Sequence, residues 1–301
     1  MTAGSNTFKL ILLRHGQSEL NHENIFCGWI DASLTEKGKD QARHAADLIV
    51  QYCTTNNVPL PQVGYISRLV RTKQTMEVML EQMHLKGSYR VICGFHYEPG
   101  EEFTAGNTAV LETWRLNERH YGSWQSKRKP DILKEYGEKE YMYIRRDYRG
   151  KPPRADLSRE MVQEVNDQGS STGYLFKEPN RHLKYNIEEQ HGENLPDSES
   201  LKDVVQRLEP FLRNVILGTA KKYDLDSSLV VAHGSSVRCI LKVLQGISDE
   251  EIKNVDIANA TPLVVELDKS NFQFLRRYYL DPEKAKIGAE KVHREGFVPN
   301  P

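Results

Sequence analysis

Phe8-Lys9-Leu10-Ile11-Leu12-Leu13-Arg14-His15-Gly16 and, far downstream, Leu229-Val230-Val231-Ala232-His233-Gly234 share one plan: an apolar run, then His-Gly. A short, almost unbroken apolar run suits a strand buried on both faces, the signature of a parallel sheet. In open sheets of that kind, ligands bind beyond the carboxyl ends of the strands. Both histidines stand there. If the two strands are neighbours, both imidazoles reach one rim. One could then act as a nucleophile while the other donates to the oxygens of the group under attack. Arg14 adds fixed positive charge and paired donors suited to phosphate. Gly16 removes side-chain bulk where an anion would approach the backbone. A helix opening at Gly234 would offer further N–H donors.

The surrounding pattern alternates strand and helix. Val63 to Ile66 reads as a strand, and Leu69, Met76, Leu80 and Met83 follow at helical spacing, with the methionines assigned to core. Leu201, Val204, Val205, Leu208, Phe211, Leu212 and Val215 mark a strong amphipathic helix, which Pro210 should kink or divide. Ser227 to Ala232 is a strand, and Val237, Ile240, Leu241 and Leu244 line the helix after it. Ser248 to Glu251 has capping-box spacing for a further helix, and Pro262 to Leu267 reads as a strand. The class is α/β: a three-layer αβα sandwich around a mostly parallel sheet. Residues 1–301 read as one domain. Two polar stretches, near 87–108 and 154–194, read as surface insertions, and the tail from Asp281 as polar and partly mobile.

Composition narrows the function. The chain has 301 residues, 38% hydrophobic and 28% charged, enough for a sizeable core. Its 41 basic and 42 acidic residues leave a formal charge of -1, which gives no reason to expect nucleic acid or a membrane as partner. Any anion site must come from local clustering. Cys27, Cys53, Cys93 and Cys239 form no C-x-x-C pair and read as reduced thiols, so a cytoplasmic location is expected. Met1 to Lys9 lacks a signal-peptide pattern. No metal is expected, since arginines and histidines supply the positive charge.

The run Leu13-Arg14-His15-Gly16-Gln17-Ser18-Glu19-Leu20-Asn21 resembles the cofactor-dependent phosphoglycerate mutases of the histidine phosphatase superfamily, the longer fungal members above all. So do Trp114-Arg115-Leu116-Asn117-Glu118-Arg119-His120-Tyr121-Gly122, Pro196 to Leu201, Ala232 to Gly234 and Tyr278 to Ala285. The resemblance implies that fold and a glycolytic and gluconeogenic isomerase that interconverts 3- and 2-phosphoglycerate. It implies a phosphohistidine on His15, primed by 2,3-bisphosphoglycerate. Arg14, Arg71 and His233 would surround the phosphorus, with Arg68 as the rival for the Arg71 role. Glu118 would give and take the proton, unless it merely pairs with Arg115 or Arg119. Substrate would be held by Asn21, Cys27, Gly28, Arg119, Tyr121, Lys129, Arg145, Arg146, Gly234 and Ser235, with Lys127 and Arg128 leaving the lysine register open. A homo-oligomer is also implied.

Some positions depart from the family. Cys27 stands for Thr, Ile66 for a hydroxyl residue, Ser126 for Gly and Ser235 for Asn. Ala258-Asn259-Ala260-Thr261 replaces a Pro-Thr-Gly-rich loop. These changes touch substrate holding more than the nucleophile, so weakened substrate binding is expected before lost chemistry. Two other readings share the motifs: a related bisphosphoglycerate mutase or phosphatase, and a weakly active or inactive paralogue that binds phosphorylated metabolites.

Overall fold

A computed structural model describes residues 6–95, 106–157, 178 and 181–297. Seven strands form one sheet: β1 (Thr7–Arg14), β2 (Val63–Ile66), β3 (Lys86–Val91), β4 (Asn107–Glu112), β5 (Ser227–Ala232), β6 (Leu263–Asp268) and β7 (Phe274–Tyr279). Their order is β3-β4-β2-β5-β1-β6-β7. The first five run parallel, β6 runs against β1, and β7 runs against β6. The main helices are α1 (Glu36–Thr55), α2 (Val70–Gln82), α3 (Lys129–Arg146), α4 (Leu201–Phe211), α5 (Gly234–Gln245) and α6 (Pro282–Arg294).

Side chains of β1 alternate between two cores. Phe8, Leu10 and Leu12 pack with Leu208, Phe211, Val237 and Ile240 of α4 and α5. Ile11 and Leu13 pack with Ala42, Ala46, Ile49, Met76 and Met79 of α1 and α2. Period-2 alternation along a strand sends successive residues to opposite faces, so an apolar run demands helices on both sides. Here it has them. The methionines are core, as their spacing implied.

Local signals set the helix ends. Thr35 Oγ1 accepts from Gly38 N at 3.1 Å, and Ser200 and Asp203 form a capping box. Pro210 cannot donate to the α4 ladder. The helix widens just beyond it into a π-helical stretch, Leu212–Leu217, before one more turn at Gly218–Lys222. Ser248 and Glu251 do exchange capping hydrogen bonds, but only a 3₁₀ turn, Glu251–Asn254, follows. Among the described residues no helix is long and apolar enough to cross a membrane.

Two expectations need correction, and the tail gains detail. The stretch near 87–108 is not simply an insertion, because it contributes most of β3 and the start of β4, which pair in parallel. Residues 96–105 lie outside the described residues. The stretch near 154–194 is not confined to the surface: Tyr185 is 1% exposed and Glu188 fully buried. Residues 158–177, 179 and 180 lie outside the described residues. The tail from Asp281 is polar and mostly exposed, and Pro282–Arg294 within it form α6, capped by Asp281 and started by Pro282.

Two loops beside the carboxyl rim carry left-handed backbone at non-glycine residues: Ser126 at φ 66° and buried Ala260 at φ 43°. A Cβ makes this region costly, by roughly 1–2 kcal/mol per residue. Both positions fall where the sequence departs from glycine-bearing loops. Ser126→Gly and Ala260→Gly should each raise stability by about 1 kcal/mol, read as a higher urea midpoint with an unchanged slope. A lower midpoint in both would contradict the backbone account.

Candidate active site

The two His-Gly turns meet as the strand pattern required. Arg14 pairs with Ala232 across β1 and β5, and His15 N donates to Ala232 O at 3.0 Å. The imidazoles of His15 and His233 then lie with centroids 5.0 Å apart. His15 Nδ1 donates to Gly16 O at 2.6 Å, because a carbonyl can only accept. That leaves His15 Nε2 unprotonated, and its lone pair accepts from Arg71 Nε at 3.2 Å. Asn259 Nδ2 holds His15 O, and Thr75 Oγ1 accepts from Gly16 N. Gly16 is required for a reason the sequence reading did not reach: a Cβ there would stand 2.3 Å from Gly38 O. The turn rests directly on the backbone at the start of α1.

His233 is the N-cap of α5 and is fully buried. Its Nε2 lies 2.8 Å from Ser67 Oγ, which also contacts Thr72 Oγ1 at 2.8 Å. His233 Nδ1 and Arg14 Nε are buried and lack a hydrogen-bond partner. Such orphans are costly unless something else satisfies them. Arg14 Nη1 donates to Ile257 O at 2.9 Å. Arg71 is clamped by Ile30 O and Gly28 O, both at 2.8 Å. Arg68 points elsewhere, to Glu112 and Glu188, so Arg71 is the arginine at the imidazole pair. Gly234 lies against the Arg14 guanidinium, whose nearest atoms would stand 3.7 Å from a Cβ there, an ordinary contact distance.

Glu118 lines the same hollow. Its Oε1 accepts from Arg119 N at 2.8 Å and Ser235 N at 3.2 Å. It is not spent on Arg115, whose partner is Glu193, nor on the Arg119 guanidinium. Arg14, His15, Asn21, Cys27, Gly28, Arg71, Tyr121, Lys129, Arg145, Arg146, Gly234 and Ser235 also line it. Cys27 Sγ donates to Ile30 O, and Asn21 Oδ1 accepts from Ser18.

Arg119 is the exception among the expected residues. It is fully buried, and its terminal nitrogens donate to Ile144 O, Gly150 O and Arg145 O. It ties down the carboxyl end of α3 instead of facing the hollow, and its charge suits helix-end carbonyls. It thus supports the backbone that presents Arg145 and Arg146.

The far side of the hollow holds residues that sequence reasoning missed. Lys129 Nζ meets Glu295 Oε2 at 2.5 Å, and Arg145 Nη2 meets the same oxygen at 3.2 Å. Arg146 Nη1 pairs with Asp256 at 2.6 Å. With these carboxylates in place, the remaining cavity is about 70 Å³, small beside the ~300 Å³ lower end of ligand pockets. Ser67 and Asn259 were also missed as supports of the histidines. Ser67 directly follows the predicted strand Val63 to Ile66, and Asn259 lies in the Ala258–Thr261 loop that departs from the family. Neither signal specified a partner.

Burial first, and then the Arg71 and Arg14 charges, hold His15 well below the usual histidine range. Burial and Arg71 do the same to His233. Both rings are therefore neutral near pH 7, as a nucleophilic nitrogen requires. Burial pushes the Glu295 carboxyl up, but Lys129, Arg145 and Arg14 together outweigh it and hold it at about 2. Among the described residues no three His, Cys, Asp or Glu side chains gather as a metal site.

The chain matches the family model of the histidine phosphatase superfamily (branch 1) over residues 10–90 and 166–279. It is 64% identical over 300 residues to phosphoglycerate mutase 3 of Saccharomyces cerevisiae, covering 99% of each chain. It is 38% identical to the 2,3-bisphosphoglycerate-dependent phosphoglycerate mutase of Cutibacterium acnes, over 96% of this chain and 99% of that one. A solved phosphoglycerate mutase from Bacillus anthracis has TM-score 0.56 at 17% identity, covering 94% of this chain and 97% of that one. At that identity the likeness is one of fold.

The depressed imidazoles predict an acid-side stability loss. Below about pH 6.5 the unfolded chain protonates both histidines while the folded chain resists, so stability falls with pH. In His15→Asn/His233→Asn this fall, read from urea melts between pH 7 and 5, should be shallower by up to about 1.4 kcal/mol per pH unit per histidine. An identical pH slope in the double variant would refute neutral burial of these rings.

Proposed function

Because the chain belongs to the histidine phosphatase superfamily, we propose that it is a phosphoglycerate mutase that interconverts 3- and 2-phosphoglycerate through a phosphoryl group carried on His15. One observation carries this reading: the unprotonated Nε2 of His15 lies among Arg71, Arg14 and a second neutral imidazole on one rim. The orphaned Arg14 Nε is a donor suited to phosphoryl oxygens, and His233 Nδ1 is one in the tautomer whose Nε2 accepts from Ser67 Oγ. They support 2,3-bisphosphoglycerate as primer, held by its phosphoryl oxygens there and by its carboxylate at Lys129 and Arg145.

In this mechanism His15 Nε2 attacks phosphorus, and the P–O bond to the glycerate oxygen breaks. Glu118 gives that oxygen a proton. Arg14, Arg71 and His233 oppose the negative charge on the equatorial oxygens as the group passes. In the return step, Glu118 takes the proton from the glycerate hydroxyl as its oxygen attacks, and the P–N bond breaks. Two direct transfers replace one migration. The chain is thus an isomerase of the phosphotransferase type. A cytoplasmic place and a small phosphorylated substrate accord with this role.

The test uses the purified chain with 2,3-bisphosphoglycerate. Acid-labile phosphate should appear on His15, pass to 3-phosphoglycerate, and be absent from His15→Ala. Glu118→Gln should lower kcat by about 10²–10⁴-fold. Absence of labelling in the wild-type chain would reject the reading, and labelling followed by release to water alone would make the chain a phosphatase.

A further inference from the structure

The tail returns to the hollow by a built path. Tyr141 Oη and Arg145 Nη1 both donate to Glu295 O, at 3.3 and 2.6 Å, and Arg145 Nη2 donates to Val292 O at 3.0 Å. Phe297 then sets its ring edge-on to Tyr141, centroids 6.2 Å apart. Between them Gly296 has φ 96°, and a Cβ there would lie 2.2 Å from Tyr141 Oη. Only glycine fits, because it alone tolerates both that backbone and that contact. The result is that the Glu295 carboxylate sits on Lys129 Nζ at 2.5 Å and on Arg145. Asp256, bridging Arg146 and His293, flanks the same wall.

A carboxylate of the protein thus occupies both cations, Lys129 and Arg145, assigned above to the substrate's carboxylate. We infer that Glu295 is an internal competitor for the substrate carboxylate, so that a phosphoglycerate must displace the tail before it can bind fully, and that Glu295 thereby sets KM. The inference rests on the proposed mutase reading. Charge complementarity and space both support it. Lys129 and Arg145 cannot pair fully with two carboxylates at one spot, and about 70 Å³ remains with Glu295 seated.

Two variants test it independently. Glu295→Gln removes the charge and keeps the shape. Gly296→Ala keeps the carboxylate but denies the tail its seat. Calorimetric titration with 3-phosphoglycerate should show binding about tenfold tighter in each variant, the change expected for one lost charge-assisted contact that competes with the ligand. In the wild-type chain, 3-phosphoglycerate should make the Arg294 bond more accessible to trypsin. Equal or weaker binding in both variants, or protection of Arg294 by 3-phosphoglycerate, would overturn the inference. So would a lack of binding in all three chains, since a competitor needs something to compete with. Phosphoryl transfer to His15 is measured separately and reports on the mutase reading alone.

Discussion

The site depends on the register of two parallel strands. With Arg14 opposite Ala232, the residues just past each strand end share one rim, and His15 N closes the ladder on Ala232 O. A slip by one residue would turn every side chain to the other face. The two cores prevent such a slip, since Phe8, Leu10 and Leu12 belong to one layer and Ile11 and Leu13 to the other. Packing on both faces of the sheet therefore fixes the distance between the imidazoles. The chemistry inherits its precision from hydrophobic patterning that touches no ligand.

Around this pair the protein collects positive charge and shields it from water. Arg71 is held by two backbone carbonyls, Arg14 by one, and Arg145 by the tail. Guanidinium groups fixed in this way need little rearrangement when a phosphoryl group arrives. The same surroundings keep both imidazoles uncharged, through burial and repulsion by the arginines. One arrangement thus provides an anion hole and a nucleophile in its reactive form.

Much of this was legible in the sequence, and the reasons are specific. Strands β1, β2 and β5 announce themselves as short apolar runs, and the α4 period is strong because that helix buries one face against the sheet. The rim histidines follow from strand ends. Arg119 was misplaced because an arginine that binds a ligand and one that binds helix-end carbonyls look alike in a linear motif. Glu295 was invisible for the opposite reason: a lone acid in a polar tail carries no periodicity, and its partners Lys129 and Arg145 lie over a hundred residues away. Tyr185 and Glu188 were hidden by polar neighbours, although the Tyr185 ring packs tilted against Trp29 and Glu188 binds Arg68. Long-range pairing between polar groups is what one-dimensional patterns record least.

The reversal of direction at β6 has a practical consequence. Because β6 runs against β1 and β7 runs with it, β7 finishes at the catalytic rim, and α6 crosses that rim from there. The amino end of β1 stands at the opposite end of the strands, roughly 26 Å away for eight extended residues. A fluorophore or affinity handle joined after Phe297 would thus hang at the mouth of the hollow, while the same group joined before Thr7 would sit a whole strand length from it.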